Sequence, residues 1–176
     1  MNVRPAQARD LDACLALDES FETEYVWQME TNRANGAIQL GFRTTRLPRA
    51  MRVNISAARD FVLDDYEQGE CVLVAEEYPR ILGFIDATLD RSQRVAWIQA
   101  LVVAPDMRRQ KVATRLLQAT VDWARDKKLR AVMASVSTKN FPASAFLQKQ
   151  GMTFCGFNDQ YYHNRDIALF FSCPVR

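Results

Sequence analysis

Four consecutive side chains, Arg108-Arg109-Gln110-Lys111, stand between an apolar run and a helical repeat. Cations in a short turn gather an anion, and the free N–H groups and positive dipole end of a following helix favour the same charge. Phosphate is an anion that such an arrangement can hold. A second group lies upstream, where Ser20-Phe-Glu-Thr-Glu-Tyr-Val-Trp27 sets Glu22 and Glu24 beside Phe21, Tyr25 and Trp27. Two carboxylates among three aromatics can hold an amine by charge and cation–π attraction. A solvated helix or loop whose aromatics cover the core accounts for the same residues equally well. The series Arg33, Arg43, Arg46, Arg49 and Arg52 can face an anionic substrate, but such a series is more often a solvated face, and that reading is preferred.

Other chemistries are disfavoured by what the chain lacks. Cys14, Cys71, Cys155 and Cys173 are far apart, with no Cys-x-x-Cys pair, and His163 is the only histidine. That argues against a zinc site and fits reduced thiols in a cytosol, with a disulfide not favoured. A net charge of +2 is too mild to argue for nucleic acid, and no extended Lys/Arg face is visible. No apolar run approaches the roughly 20 residues of a membrane span, and MNVRPAQARD has no signal-peptide core. The expectation is a cytoplasmic chain with neither membrane nor nucleic-acid partner.

The elements that must position these residues can be read from periodicity. Val95 to Ala104 is rich in β-branched and aromatic residues, as a strand buried on both faces is, and Pro105 ends it. Ala113, Leu116, Leu117, Val121 and Ala124 then share one helical face, so a helix begins near Val112. Before these, Asn2–Pro5 reads as a strand, Arg9–Leu17 as a helix, Ile38–Thr44 as a strand ended by Leu47-Pro48-Arg49, and Ala57–Tyr66 as a helix closing at Gly69. Cys71–Ala75 and Ile81–Thr88 are strands joined by a turn at Tyr78-Pro79-Arg80. After the long helix come a strand at Ala131–Val136, a helix capped by Asn140 and closed by Gly151, and strands at Thr153–Phe157 and Ile167–Phe171. At 176 residues and 48% hydrophobic content, without linker or repeat, residues 1–176 are expected to form a single domain. The fold class is α/β (α+β), a mixed, mostly antiparallel sheet flanked by helices. Strands 95–104 and 130–137 are parallel in it because a helix crosses between them.

Two stretches carry a resemblance. Arg108, Arg109, Gln110, Lys111, Val112 and Ala113, after a valine-rich strand and a proline, resemble the phosphate loop of the GNAT acetyltransferase superfamily, Arg/Gln-x-x-Gly-x-Gly/Ala. About thirty residues on, Asn140-Phe-Pro-Ala143-Ser-Ala-Phe146-Leu147-Gln-Lys-Gln-Gly151-Met152 resembles the family's second signature, Asn-x-x-Ala-x-x-Leu-Tyr-x-x-x-Gly-Phe. The opening "Arg-Pro-Ala … Asp-Leu" is similar to common GNAT starts, and Ser20 to Trp27 resembles its streptothricin acetyltransferase branch. The resemblance implies an N-acetyltransferase in which an amine of a small molecule or peptide directly attacks acetyl-CoA, the co-substrate. By the same likeness, the strand edge Leu101, Val102, Val103 would bond the pantetheine arm, and Arg108, Arg109, Gln110, Lys111, Val112, Ala113 and Thr114 would cradle the phosphates. Asn140 would also bond the pantetheine, with Phe146 lying along it. Glu22, Glu24, Tyr25 and Trp27 would meet the acceptor. No metal is implied.

The chain departs from the family pattern at chemically important places. The tyrosine that many members use as general acid falls on Leu147, which has no proton to give, and a frequent glutamate falls near Gln99, which is no base at neutral pH. Lys111 stands where relatives carry the loop's central glycine, which costs backbone freedom and could either crowd the phosphate or set a cation beside it. Tyr161, Tyr162, His163 and Cys155 belong to a segment that walls the acceptor site in relatives. Tyr162, and after it Tyr161, are the candidates for the acid, on the expectation that this stretch is still strand; solvent carrying the proton is the alternative. A GNAT-fold module that binds CoA without turnover, in a regulatory or assembly role, is the rival to an enzyme. The acceptor and the oligomeric state, a homodimer included, are left open.

Overall fold

The computed structural model describes residues 1–34, 36–54 and 61–175. The chain packs as two compact units, one of Met1–Glu19, Asn54–Ser135 and Ser172–Arg176, the other of Ser20–Val53 and Val136–Phe171. In the first unit, β1 (Asn2–Pro5), β4 (Cys71–Glu77), β5 (Arg80–Asp90), β6 (Val95–Val103) and the start of β7 (Ala131–Ser137) lie side by side in the order β1-β4-β5-β6-β7. All neighbours are antiparallel except β6 and β7, which run parallel as the intervening helix requires. Alternation along β4, β5 and β6 sends Val72, Val74, Phe84, Ala100 and Val102 to one face. There they meet Cys14 of α1 (Leu11–Leu15) and Val62 of α2 (Val62–Glu67) in one buried cluster. Gly83 lets β5 and β6 approach, since a Cβ there would lie 2.6 Å from the Val102 carbonyl oxygen.

The opposite face is covered by α3 (Val112–Asp126), whose buried stripe is Val112, Leu116, Leu117, Thr120 and Ala124. The helix begins where its periodicity predicts, but its inward face is turned by one residue. Ala113 and Val121 are half-buried, while Thr120 is enclosed because its hydroxyl donates to the Leu116 carbonyl at 3.0 Å.

In the second unit, β2 (Phe21–Ala34) and β3 (Ala37–Val53) form a long two-stranded ribbon. The end of β7, β9 (Ala168–Pro174) as far as Phe171, and β8 (Thr153–Asn158) follow in the order β7-β9-β8, with α4 (Phe141–Lys149) packed on β8 and β2. Segment 20–27, read as helix or loop, is strand from Phe21 onward. Leu47-Pro48-Arg49 does not end β3 but sits where the register slips, Thr23 facing Met51 and Tyr25 facing Arg46. A proline survives there because the ribbon is irregular and asks no ladder donor of it. Of the helix expected over Ala57–Tyr66, residues 57–60 lie outside the described residues; the remainder is α2, which closes at Gly69 with φ +74°. The strand expected at Ile167–Phe171 is β9, which starts one residue later, at Ala168, and ends three later, at Pro174. No helix among the described residues is long and apolar enough to cross a membrane.

Candidate functional site

Strand β6 has two neighbours for only part of its length. Its parallel register with β7 runs from Val95↔Ala131 to Ile98↔Ala134 and ends there, while its antiparallel register with β5 continues to Gly83↔Val103. At the point of departure Gln99 is an extra residue, because Asp86 pairs with Ala100 and Ala87 with Ile98. A bulge of this kind bends the strand and increases its twist. Leu101, Val102 and Val103 therefore present one backbone edge to β5 and leave the other outside the described β6–β7 ladder. The Gln99 amide reaches the Thr88 hydroxyl at 2.7 Å; its chain offers no base.

Beyond Val103, Pro105–Met107 makes a short 3-10 turn and the basic loop follows. Arg109 and Lys111 both take φ +65°, the left-handed region that side chains avoid. Left-handed residues in a turn can aim successive N–H groups into one concavity suited to an anion. Lys111 is also the N-cap of α3, where no side chain caps the helix and no acidic residue occupies the first turn. The first-turn donors, those of Val112, Ala113 and Thr114 among them, thus have neither a capping side chain nor a carboxylate to satisfy or neutralise them. Arg109, Gln110 and Lys111 are exposed. Arg108 instead ties the loop down, its Nε donating to the Val103 carbonyl at 3.2 Å and its terminal nitrogen to the Asp18 carbonyl at 2.8 Å. The first unit therefore joins the strand edge to the phosphate-type loop, as the sequence groups them.

In the second unit, Asn140 caps α4, its Oδ1 accepting from the Ala143 N–H at 3.1 Å, which leaves its Nδ2 outside the cap. The ribbon is sewn to this helix start. The Trp27 N–H donates to the Thr138 carbonyl at 2.9 Å, the Trp27 indole to the Ser144 hydroxyl at 2.8 Å, and that hydroxyl to the Phe141 carbonyl at 2.9 Å. Tyr25 and Trp27 share a face and pack on the Phe141 ring, centroids 5.4 and 6.0 Å away. Alternation sends Glu22 and Glu24 elsewhere, and Glu24 pairs with Arg46 at 3.4 Å on the surface. The two aromatics are thus gathered, but not with the two carboxylates.

Phe146 is half-buried and Leu147 fully buried on α4. Strand β8 ends at Asn158, so Tyr161 and Tyr162 lie in the following turn and strand alternation does not choose between them. Their rings meet edge-on at 5.1 Å, and Tyr161 also packs on Phe170. Cys155 and His163 are exposed. Phe141 and Ser144 went unnoticed in the sequence; a serine three residues into a predicted helix start, facing an aromatic strand, is the signal that could have found them. Asp86 also went unnoticed, although an acid inside Ile81-Leu-Gly-Phe-Ile-Asp-Ala is conspicuous.

A model of the acetyltransferase (GNAT) family matches residues 19–152. Among solved structures, a nourseothricin acetyltransferase is similar with TM-score 0.84 at 22% identity, covering 99% of this chain and 98% of that one. A Bacillus anthracis str. Ames protein assigned as a streptothricin acetyltransferase, solved with acetyl coenzyme A, gives TM-score 0.80 at 19% identity, covering 99% and 97%. The ribosomal-protein-S18-alanine N-acetyltransferase of Escherichia coli gives 0.67 at 13%, covering 99% and 93%. At these identities the likeness is one of fold. No curated protein matches the sequence.

Proposed function

The chain belongs to the acetyltransferase (GNAT) family and is an acyl-CoA-dependent N-acetyltransferase with acetyl-CoA as co-substrate; from that premise we propose that it acetylates an amine of a small molecule or a peptide by direct attack. The observation that carries the reading is the departure of β6 from β7 beside a left-handed, uncapped loop. Both halves fit a long ligand with an anionic end. Leu101–Val103 offer N–H and C=O groups along an edge, and the start of α3 offers N–H donors among exposed cations. Arg108 acts in this reading by holding the loop against the strand end.

When bound, acetyl-CoA supplies the activated acetyl thioester. The residues' part is to bind, to orient and to manage one proton. Asn140 has Nδ2 left to donate after capping α4, and Phe146 gives an apolar surface. Tyr25 and Trp27, fixed on Phe141, give an aromatic wall suited to a cationic amine; Glu22 and Glu24 point away from it, so the acceptor role expected of them is not part of this reading. The amine must reach the thioester uncharged, and the departing thiolate gains from a proton donor. Tyr162 and Tyr161 are the candidates for that donor, with solvent as the alternative. The rival of a CoA-binding module without turnover is not favoured by membership of an enzyme family.

We further read the chain as one cytoplasmic domain without nucleic-acid or membrane partners. The family match takes in residues of both units, and the four cysteines are free. The test is free-thiol release from acetyl-CoA against a panel of amines, corrected for hydrolysis. At least one small-molecule or peptide amine should raise release well above background; a protein that binds acetyl-CoA but shows no amine-dependent release would revive the rival.

A further inference from the structure

Asp86 lies in the middle of β5 and is fully buried. Both of its carboxyl oxygens, and Oδ2 of Asp65 on α2, are enclosed with no hydrogen-bond partner among the described residues. The two carboxyl groups are within hydrogen-bond reach of each other. Two ionised carboxylates have no donor to share, so that contact is repulsive and both groups stay orphaned. A single proton changes this: an Asp86 O–H can donate to Asp65 Oδ2, which partners two of the three enclosed oxygens and turns a repulsive contact into an attractive one.

The surroundings decide which state is held. From α2 come Asp65 and, next to it, Tyr66; from the turn before β4 comes Glu70, whose Oε2 accepts the Leu89 N–H at 2.9 Å. Strand β4 places Val72 opposite Asp86, with the Cys71 thiol adjacent, and β6 places Ala100 opposite with uncharged Gln99 beside it. Helix α1 contributes the buried Cys14 thiol to the same packed face. Lys127, at the end of α3, bears on Cys71. Among the described residues the charges acting on Asp86 are carboxylates.

We propose that Asp86 and Asp65 share one proton and thereby form a pH-sensitive latch that seats α2 on the sheet. Burial, the Asp65 carboxylate and then Glu70 push the Asp86 carboxyl up to about 8. The folded chain therefore keeps a proton that the unfolded chain releases at about pH 4. The sign follows: the latch contributes fully below the unfolded value and is lost as pH rises towards the folded one. In alkali the Asp86 O–H bond breaks, the proton passes to solvent, and two like charges face each other beneath α2.

The latch is tested by equilibrium unfolding between pH 5 and 9, on wild type and Asp86→Asn. The asparagine amide donates to Asp65 and cannot titrate. From pH 5 to about 8 the wild-type unfolding constant should rise by about tenfold per pH unit relative to the variant, and it should level off above that. Hydrogen-exchange protection of α2 amides, corrected for intrinsic rates, should fall with pH in wild type alone. If Asp86→Asn does not fold, infrared spectroscopy of the wild type at pH 6 decides, since a buried protonated carboxyl has its own C=O stretch and Asp65→Asn should shift it. Parallel pH profiles for wild type and Asp86→Asn, or the absence of that stretch, would overturn the latch. None of these readouts uses acetyl-CoA, so they stand apart from the transferase reading.

Discussion

Lys111 holds a conformation that its own Cβ opposes, with φ +65° and ψ +11° at the N-cap of α3. A left-handed residue other than glycine costs about 1 kcal/mol, so Lys111→Gly should raise stability by about that much in denaturant unfolding. Acetyl-CoA binding should survive the change, because the loop's N–H groups do most of the holding and Arg109 remains. A destabilised variant would show that the left-handed turn is not strained. Much tighter binding would show that the lysine obstructs the phosphates. The proton donor is the other question at this scale. Tyr161 is 46% exposed and Tyr162 half-buried, which favours Tyr162 as the group held in place. Tyr162→Phe should lower kcat by roughly 10²–10⁴ with KM nearly unchanged. If neither tyrosine variant loses even tenfold, solvent carries the proton.

Elements with one strong local signal were legible in the sequence. Strand β6, Pro105 and α3 follow from an apolar run, a missing donor and a 3.6-residue stripe, and Asn140 and Gly151 bound α4 by capping chemistry alone. The β2–β3 ribbon was not legible, because much of it is exposed on both faces and apolar alternation has no core to answer to. Phe21, Thr23, Tyr25 and Trp27 do alternate with polar residues in part, but Glu22 and Glu24 look equally at home in a solvated helix. What fixes Tyr25 and Trp27 is tertiary: the Thr138 carbonyl, the Ser144 hydroxyl and the Phe141 ring, all more than a hundred residues away. Trp27→Phe should keep the ring packing and lose the indole bond to Ser144, at about 1 kcal/mol in thermal or chemical unfolding. An unchanged stability would mean that this bond does not secure the ribbon.

Across the whole chain, two buried acids oppose each other in their response to pH. Asp10 is held below its usual value, chiefly by the Arg4 guanidinium at 2.6 Å. Its contribution is present above the unfolded value of about 4 and is lost on further acidification. Asp86 is raised, so its contribution is lost on the alkaline side instead. Together they place maximum stability on the acid side of neutrality, and denaturant midpoints measured from pH 3 to 9 should peak there; a maximum above pH 8 would contradict the assignment of Asp86. The proposed acetyl-CoA site rests on the start of α3, with its basic loop and left-handed turns. The most direct test is calorimetric titration of acetyl-CoA into wild type and Ala113→Glu. A carboxylate in the first turn suits the helix dipole, so the fold should persist, yet it competes with phosphate for the same N–H groups. Wild type should bind and a folded Ala113→Glu should lose at least tenfold in affinity. A wild type that does not bind acetyl-CoA, or a variant that binds it equally well, would contradict the site.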